Sequence, residues 1–372
     1  MKGKVLIVGG SIGGLFAGVL LHRAGFDVAV YERSTQGLDG RGAGLVAQQD
    51  VFTLLREVGV ERLARFGVVA HERIHLDRAN HVIQRQRTPQ TQISWDLLFR
   101  TFREMLPPEL YVGGAHVTSV SQDGNGASIQ LADGRTFEGD LVIGVDGLGS
   151  RVREAVAGRP QAPRYVGYAT WRGLVPEHLV PQRAADVLFE RFAFFDAVRS
   201  HVLGYLVPGS DASLEPGRRR FNWVWYRRYS DAELTQVLTD AEGTRHPFSL
   251  PPGAVSQARV RALHADAGLL LPEAFADAVQ AESQPFIQAI YDYEAPRMVN
   301  GRVALLGDAA FVARPHTAMG VAKAAGDAME LRNSLVGEPT LEAALERYAR
   351  ARESVGAQIV AYGRQLGGML DL

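Results

Sequence analysis

The chain has 372 residues, 46% of them hydrophobic, and a formal net charge of −1 at pH 7. This length suffices for a large core and for two lobes, and the balanced charge argues against nucleic acid or a membrane surface as a partner. Because the chain has no cysteine, disulfides, thiolate catalysis and cysteine metal sites are excluded, and no metal site is expected. A cytoplasmic location is expected, since no secretory segment opens the chain and no run of about 18 apolar residues occurs.

The chain opens with the pattern of a dinucleotide-binding βαβ unit. Residues 5–8 (VLIV) are typical of a buried parallel strand, and the segment 9–14 (GGSIGG) leads into a helix that should stop at Gly25. A second strand ends at Glu32, near the ~20-residue spacing of a ribose-binding acid. Such glycines let the backbone approach a pyrophosphate, whose charge meets helix N-terminal amides. A dinucleotide site is therefore favoured over a structural glycine turn, although Ser11 replaces the usual middle glycine.

The segment that follows is glycine-rich and then helical. Residues 37–44 (GLDGRGAG) carry one cation, Arg41, interpreted as steering an anionic ligand or, more commonly, as a solvated loop charge. An amphipathic helix is predicted after Gln48, and a second helix over 96–106 ends before Pro107.

Strands and turns dominate the part of the chain up to residue 165. Residues 71–93 indicate short edge strands, and two Asp-Gly turn signals predict a β-meander over 115–138. A buried strand over 141–145 ends in Asp146-Gly147, and a helix is expected just beyond.

The character of the chain changes between residues 166 and 287. Aromatic residues alternate with others in 221–226 (FNWVWY), which places Phe221, Trp223 and Trp225 on one sheet face. Loops rich in proline and glycine separate these runs. The pattern predicts a β-rich second lobe inserted into the first.

After residue 288 the chain returns to the α/β lobe. Residues 303–306 (VALL) predict a strand, so Asp308 should emerge at the carboxyl edge of the sheet, where such sheets bind ligands. A helix begins near Gly320, and its free N-terminal amides suit the electron-rich end of a flavin. Residues 340–366 predict one long helix capped by Thr340. With the first glycine loop, this constellation indicates bound FAD and therefore redox chemistry.

Three motifs in this order resemble the class A flavoprotein monooxygenases, the p-hydroxybenzoate hydroxylase family. They are the glycine loop with Glu32, the pair Asp146-Gly147, and Gly307-Asp308 followed by Pro315 and Gly320. Within the family the chain is similar to the dihydroxypyridine hydroxylases through VGGSIGGL, VYERS, GYATWRG at 167–173, RPH at 314–316 and AKA at 322–324. The resemblance covers nearly the whole chain.

The resemblance implies FAD contacts position by position. Asp146 and Arg153 belong to a family motif with both a structural and a nicotinamide-binding role. Two departures are Trp95, where many relatives have an arginine for FAD, and Val321, where they have a second glycine. The implied FAD contacts are Gly9, Ser11, Ile12 and Gly14 at the pyrophosphate, Glu32 and Arg33 at the adenosine ribose, Gly44 and Gln48 at the flavin and ribityl chain, Asp308 at the ribityl or pyrophosphate region, and Pro315, Gly320 and Val321 at the isoalloxazine.

The activity that the family resemblance implies is hydroxylation of a small electron-rich aromatic or N-heteroaromatic ring, such as a hydroxypyridine. NADPH or NADH, bound transiently, reduces FAD. O2 then adds at the flavin C4a position to give a hydroperoxide, which the ring attacks. A small aromatic substrate is thus the expected partner. A homodimer is considered, although the sequence does not decide the oligomeric state.

Candidate substrate residues rest on weaker signals. His316, beside the implied flavin contact, is interpreted as a catalytic base or as a structural loop histidine bonded to backbone. Trp171, Arg172 and Trp223 are substrate candidates, and the alternatives favoured for them are buried core tryptophans and a surface or salt-bridged arginine. Tyr205 is included on its position alone.

The predicted fold class is α/β: a Rossmann-like FAD-binding domain with an inserted β-rich substrate domain and a C-terminal helix. Two other functions stay open. The first is a flavin oxidase or dehydrogenase of the amine oxidase type, which Asp146-Gly147 and Gly307-Asp308 oppose. The second is a dinucleotide carrier without turnover, in which an inserted aromatic lobe has little purpose. The expected segments are 1–70, 98–165 and 288–339 for the FAD-binding domain, 71–97 for substrate-domain strands, 166–287 for the substrate domain and 340–372 for the C-terminal helix.

Overall fold

The computed structural model describes residues 3–35, 44–46, 48–65 and 67–370. Arg41, with residues 37–43 of the glycine-rich segment, lies outside the described residues. The strands in chain order are β1 (Lys4–Val8), β2 (Asp27–Glu32), β3 (Gly44–Val46), β4 (Gly67–Ala70), β5 (Glu72–Leu76), β6 (Val82–Gln86), β7 (Gln90–Ser94), β8 (Tyr111–Gly113), β9 (Val117–Gln122), β10 (Ala127–Leu131), β11 (Thr136–Gly139), β12 (Leu141–Gly144), β13 (Arg164–Pro176), β14 (Arg191–Ala197), β15 (Ser200–Val207), β16 (Arg220–Arg228), β17 (Ser249–Leu250), β18 (Phe286–Glu294), β19 (Val299–Asn300), β20 (Val303–Leu305) and β21 (Phe311–Val312). The α-helices are α1 (Ile12–Arg23), α2 (Gln49–Glu57), α3 (Trp95–Met105), α4 (Val152–Ala157), α5 (Gln182–Leu188), α6 (Asp231–Val237), α7 (Gln257–Leu270), α8 (Glu273–Gln280), α9 (Gly320–Gly337) and α10 (Leu341–Met369).

A six-stranded sheet with the order β19-β20-β12-β1-β2-β8 forms the centre of the first lobe. All its neighbouring pairs except β19-β20 are parallel. The carboxyl ends of β1, β2, β12 and β20 therefore meet at one edge, the edge at which open α/β sheets bind ligands. Gly9, Asp146 and Asp308 follow three of these strands, and Glu32 ends the fourth, so the predicted motifs are brought together.

Layers on both faces explain why these strands are so apolar. Helix α1 packs against α9 and α3, while the antiparallel meander β9-β10-β11 contacts β1 and β12. The last four residues of β1 and all of β12 are consequently buried, which is the environment that selects short Val-, Ile- and Leu-rich strands. The predicted Rossmann-like arrangement is confirmed. None of the helices within the described ranges is long and apolar enough to cross a membrane.

The second lobe is built on a large sheet that runs β17-β18-β13-β16-β15-β14-β5-β6. Its pairs are antiparallel except for β14-β5. Phe221, Trp223 and Trp225 share one buried cluster, as the alternation predicted, and this cluster lies on the face covered by α5 to α8. The opposite face, which carries Tyr205 and Tyr226, packs towards the first lobe through a smaller cluster.

The segment from 166 to 287 is more helical than the sequence indicated. Helices α5 to α8 fall within it, whereas strands separated by proline- and glycine-rich loops were expected. One face of an antiparallel sheet has to be covered, and helices cover it here. The limits between residues 165 and 166 and between 287 and 288 fall inside β13 and β18. The large sheet therefore continues past both positions.

Helix α10 lies across the segment that connects the two lobes. Thr340 caps its start by accepting a hydrogen bond from Ala343 N at 3.2 Å, as predicted. Glycines on its inner side allow close contact: a Cβ at Gly356 would lie 2.2 Å from the Phe311 ring, and one at Gly367 would lie 2.3 Å from the Arg314 guanidinium. The helix thus presses directly on residues 311–317.

Gly356→Ala tests this contact. Alanine would normally favour a helix by up to about 1 kcal/mol over glycine, but the added methyl group would overlap Phe311, so we expect a net loss of about 1–3 kcal/mol in the free energy of unfolding. Urea unfolding measures it. The matched control is Gly368→Ala in the same helix, where a Cβ meets nothing within 4 Å. Equal effects of the two variants would contradict the packing described here.

Candidate active site

The first glycine loop has no room for side chains at Gly9 and Gly14. Gly9 has φ +110°, and a Cβ there would lie 2.4 Å from the Val145 carbonyl oxygen. A Cβ at Gly14 would lie 1.9 Å from the carbonyl oxygen of Gly9. Glycine is therefore required for α1 to begin this close to the end of β1.

The start of α1 fits a pyrophosphate. Ser11 is the N-cap residue, its hydroxyl makes no capping hydrogen bond, and the first turn contains no acidic side chain. A hydroxyl and several amides are thus left to meet a negative charge. The side chain of Ile12 is buried in the core, so this residue can offer only its main chain.

Glu32 is fixed at the end of β2. Its carboxylate accepts hydrogen bonds from Gly10 N and Ser34 N, both at 2.8 Å, and the residue is 7% exposed. A carboxylate held beside the glycine loop suits the hydroxyls of a ribose. Arg33 is exposed next to it. The shape of the glycine cradle and this donor and acceptor set therefore fit the adenosine diphosphate half of FAD.

Arg153 ties the Asp146-Gly147 turn to the Gly307-Asp308 turn. It is 1% exposed, and its guanidinium donates to the carbonyl oxygens of Leu148, Ala309 and Asp308 at 2.9, 2.9 and 3.0 Å. Its Cζ lies 3.7 Å from the centre of the Tyr293 ring. Of the two roles that the family motif implies for Arg153, the structure displays the structural one, because so deeply buried a side chain does not face a transient cofactor.

Asp146 and Asp308 have different surroundings. Asp146 accepts hydrogen bonds from the amides of Arg151 and Val152, at 2.6 and 3.3 Å, and so caps the start of α4. Asp308 is half exposed, and one carboxylate oxygen lies 3.2 Å from Nζ of the buried Lys323. Asp308 is thus the one of the two that presents an open carboxylate, as expected of a cofactor contact.

The implied flavin contacts come together from distant parts of the chain. Gln48 Nε2 donates to the carbonyl oxygen of Ala318 at 3.0 Å, and Tyr205 OH donates to that of Gly44 at 3.1 Å. Pro315, Gly320 and Val321 belong to the same loop and helix start as Ala318. Beside them a cavity of about 480 Å³ opens between the starts of α2 and α9 and the side of α10, with Gln48 and Met319 in its lining. A Cβ at Gly320 meets no atom of the described residues within 4 Å, so this position is open towards them.

His316 combines the two interpretations given to it. Its Nε2 donates to the carbonyl oxygen of Gly363 at 3.0 Å, the backbone bond of a structural histidine. Its Nδ1 is buried and has no hydrogen-bond partner among the described residues. Burial lowers the pKa of His316 below its ordinary value. The imidazole is therefore neutral near pH 7 and offers Nδ1 as a free proton acceptor.

The second-lobe sheet contributes polar groups from the face opposite its tryptophans. Arg172 on β13 makes no hydrogen bond or ion pair with the described residues, and its Nε is buried. Burial raises the pKa of Tyr205 to about 12, and the positive charge of Arg172 opposes this rise. Burial also raises the pKa of Tyr226, and the positive charge of Arg172 opposes this rise. The centre of the Tyr226 ring lies 6.0 Å from that of the His316 ring. Arg172, Tyr205, Tyr226 and His316 thus surround one region.

The two tryptophans named as substrate candidates lie elsewhere. Trp171 and Trp223 are almost completely buried in the cluster on the α5–α8 side of the sheet. Trp171 Nε1 donates to the hydroxyl of Tyr229 at 2.8 Å. Because side chains alternate along a strand, Arg172 faces the first lobe and its neighbour Trp171 faces away. Trp171 and Trp223 therefore do not face the candidate substrate site, whereas Arg172 and Tyr205 do.

The sequence reading missed several residues at this site. Asn222 and Tyr226 lie on the site face of β16. His201 on β15 is 5% exposed, its ring lies 5.4 Å from that of Tyr226, and its Nδ1 lies 2.5 Å from a carboxylate oxygen of Asp196. Hydrogen bonds from His201 and His75 hold the pKa of Asp196 well below its ordinary range. The available signal was the alternation of residues 221–226, which assigns Asn222 and Tyr226 to the face that the tryptophans do not use.

Arg153→Met tests the link between the two turns. Methionine keeps an unbranched apolar stem but lacks the guanidinium, so four carbonyl hydrogen bonds are lost. We therefore expect the free energy of unfolding to fall by about 3 kcal/mol or more. The purified variant should also retain less FAD. Denaturant unfolding and the ratio of flavin to protein absorbance measure these effects. The control is Arg151→Met, which removes an exposed charge two residues away. A similar result for both variants would contradict the proposed link between the two turns through Arg153.

Comparison with known proteins agrees with this geometry. A family model described as an FAD binding domain matches residues 270–362, and one described as FAD binding domain-like matches residues 165–292. The 2,6-dihydroxypyridine 3-monooxygenase of Paenarthrobacter nicotinovorans is 33% identical over 351 residues, which is 93% of this chain and 86% of that protein. The 6-hydroxynicotinate 3-monooxygenase of Pseudomonas fluorescens is 25% identical, over 96% of this chain and 89% of that protein.

Solved structures show the same fold. The 2,6-dihydroxypyridine-3-hydroxylase from Arthrobacter nicotinovorans superposes with a TM-score of 0.93 at 31% identity, covering 100% of this chain and 93% of that one. A salicylate hydroxylase substrate complex shares the fold with a TM-score of 0.75 at 22% identity, over 100% of this chain and 89% of that one. The expected FAD cofactor and monooxygenase activity are confirmed, and the chain belongs to the family of FAD-dependent aromatic monooxygenases.

Proposed function

We propose that this protein hydroxylates a small electron-rich N-heteroaromatic ring of the hydroxypyridine kind, with NADPH or NADH as reductant and O2 as oxidant. The observation that carries the proposal lies around Tyr226. There, among the described residues, an arginine has no counter-ion and a histidine has a free acceptor nitrogen. Two relatives whose names specify a dihydroxypyridine and a hydroxynicotinate as substrates support the same choice. FAD, when bound, supplies the redox chemistry and the activation of oxygen.

The proposed role of Arg172 is to balance negative charge on the ring. Its guanidinium is half-buried and has no carboxylate within ion-pair distance among the described residues. A cation left without a partner in such a place attracts an anionic ligand strongly, since water does not screen it fully. A hydroxylated ring that has lost a proton carries the matching charge.

The proposed role of His316 is to accept that proton. The bond from Nε2 to the Gly363 carbonyl fixes the tautomer, so the lone pair stands on Nδ1. Removing a proton from a ring hydroxyl raises the electron density of the ring, which favours its attack on an electrophilic oxygen. Because α10 carries Gly363, this helix positions the base.

The remaining side chains of the region exclude water. Tyr168, Tyr205 and Tyr226 are each at most 5% exposed, and apolar side chains such as Val224 lie among them. A dry site strengthens the charge interaction of Arg172 and suppresses unproductive reaction with water. The contacts that the family resemblance implies for FAD keep their proposed roles, and Trp171 and Trp223 are no longer among the substrate candidates. Cytoplasmic location and a homodimer stay predictions.

Anaerobic stopped-flow reduction of the bound FAD by NADPH tests the activity. We expect 2,6-dihydroxypyridine to accelerate reduction strongly, as in a hydroxylase whose reduction is gated by its substrate. Reduction that is slow and indifferent to this compound would contradict the hydroxypyridine assignment. A lack of reduction by NADPH and by NADH, with or without the ring, would contradict the monooxygenase function and favour the oxidase alternative.

His316→Gln tests the base. We expect kcat to fall roughly 10²-fold, within the range for loss of a general base. Burial lowers the pKa of His316, so the wild-type protein should lose activity only as the pH falls below about 6.5, the ordinary histidine value. The variant should lack this acid limb, the fall in activity at low pH. His178→Gln, at an exposed histidine, should keep the wild-type profile. An unchanged acid limb in His316→Gln would assign it to another group.

A further inference from the structure

We propose that Asn222 recognises the substrate as a lactam, pairing its amide with a ring N–H and the adjacent ring carbonyl. The inference rests on the proposed hydroxylase function and narrows its substrate class to rings of the 2-pyridone type. It assigns to Asn222 a specificity role that neither the sequence motifs nor the comparisons provide.

The first observation is the state of the Asn222 side chain. Asn222 is 0% exposed, and neither Oδ1 nor Nδ2 has a hydrogen-bond partner among the described residues. Buried amides are nearly always paired, because leaving them unpaired in an apolar environment is unfavourable. A side chain with both a donor and an acceptor in this state is therefore complementary to a ligand that supplies one of each.

The second observation is the position of Asn222 on the sheet. It lies opposite Leu174 of β13 and Tyr205 of β15, while the next residue on the same face, Val224, lies opposite Arg172. Tyr226 follows on that face. Asn222, Arg172, Tyr205 and Tyr226 thus enclose Val224, so that a flat ring resting on Val224 is within reach of the Asn222 amide and the Arg172 guanidinium.

The third observation is the chemistry that this set can distinguish. The 2-pyridone form of a 2-hydroxypyridine presents N–H and C=O side by side, to which the amide oxygen and the amide NH2 are complementary. A second ring oxygen, ionised, meets Arg172. A phenol of the same shape has no ring N–H, so Oδ1 of Asn222 stays unpaired when it binds. Sites built around a ligand's polar group reject analogues that lack it.

The experiment compares two ligands of the same shape. 2,6-Dihydroxypyridine and resorcinol both carry two hydroxyl groups in a 1,3 arrangement, and only the first has a ring nitrogen. Calorimetric titration of the FAD-loaded protein without reductant gives both dissociation constants. We expect the wild-type protein to bind the pyridine at least roughly 10²-fold more tightly. Comparable affinities in the wild-type protein would overturn the proposal without any variant.

Asn222→Leu removes the amide and keeps the number and branching of the side-chain heavy atoms. We expect the ratio of the two affinities to fall to less than about tenfold, mainly through weaker binding of the pyridine. Ligand-free Asn222→Leu should melt at the same temperature as the wild-type protein or higher, since two unpaired buried atoms are removed. A purely structural asparagine would give the opposite result, with a lower melting temperature and an unchanged ratio.

Gln92→Leu is the matched control. Gln92 on β7 is also 0% exposed, and both its amide atoms are unpaired among the described residues. It lies in the small sheet β3-β7-β4, which contacts β15 of the large sheet but is not part of it. This variant should keep the wild-type affinity ratio, and an equal loss of the ratio in both variants would overturn the proposal. Turnover separates the two proposals. Hydroxylation of resorcinol as fast as of the pyridine would contradict only the lactam assignment. A lack of NAD(P)H-dependent oxygenation of both rings would contradict the hydroxylase function, and the affinity ratio would still decide the role of Asn222.

Discussion

The arrangement of the site depends on one buried ion pair between the lobes. Arg314 donates through Nε and one terminal nitrogen to both carboxylate oxygens of Asp292, each at 2.7 Å. Burial opposes the charge on Asp292, but the hydrogen bonds and charge of Arg314 hold its pKa below the ordinary value. Arg314 begins the loop that carries Pro315 and His316, and Asp292 lies near the end of strand β18. The pair therefore fixes the flavin side of the site against the substrate side. A two-pronged contact of this kind sets orientation as well as distance.

The large sheet separates stability from function by using its two faces differently. One face carries Trp171, Trp223 and Trp225 into a core sealed by helices, and the other turns Arg172, Tyr205 and Tyr226 towards the first lobe. Since the side-chain period of a strand is two, each strand supplies both sets without any irregular backbone. A shift of one residue in register would exchange them, so the aromatic core also fixes which groups reach the substrate.

Buried polar groups of two kinds lie around the site: cations bonded to the chain, and groups left without a partner. Arg153 and Lys323 are buried and bonded to carbonyl oxygens, which turns two potentially unfavourable charges into links between loops. By contrast, Arg172, Asn222 and His316 each keep a buried polar atom without a partner in the part of the chain that the structure describes. Such unpaired groups lower the stability of the ligand-free protein and are the groups that discriminate between ligands.

The sequence alone determined the α/β class, the dinucleotide unit and the second-lobe sheet, because glycine positions and apolar periodicity are local signals of strands, turns and helix starts. It also identified Glu32, Asp308 and the loop after Arg314 as neighbours of one cofactor, since parallel strands end at a common edge. Only the tertiary structure decided which of Trp171 and Arg172 faces the substrate, that α7 and α8 cover the opposite side, and that Asn222 and His316 keep unpaired polar atoms. These facts depend on register and on contacts between residues far apart in sequence, such as His316 with Gly363, which no local pattern records.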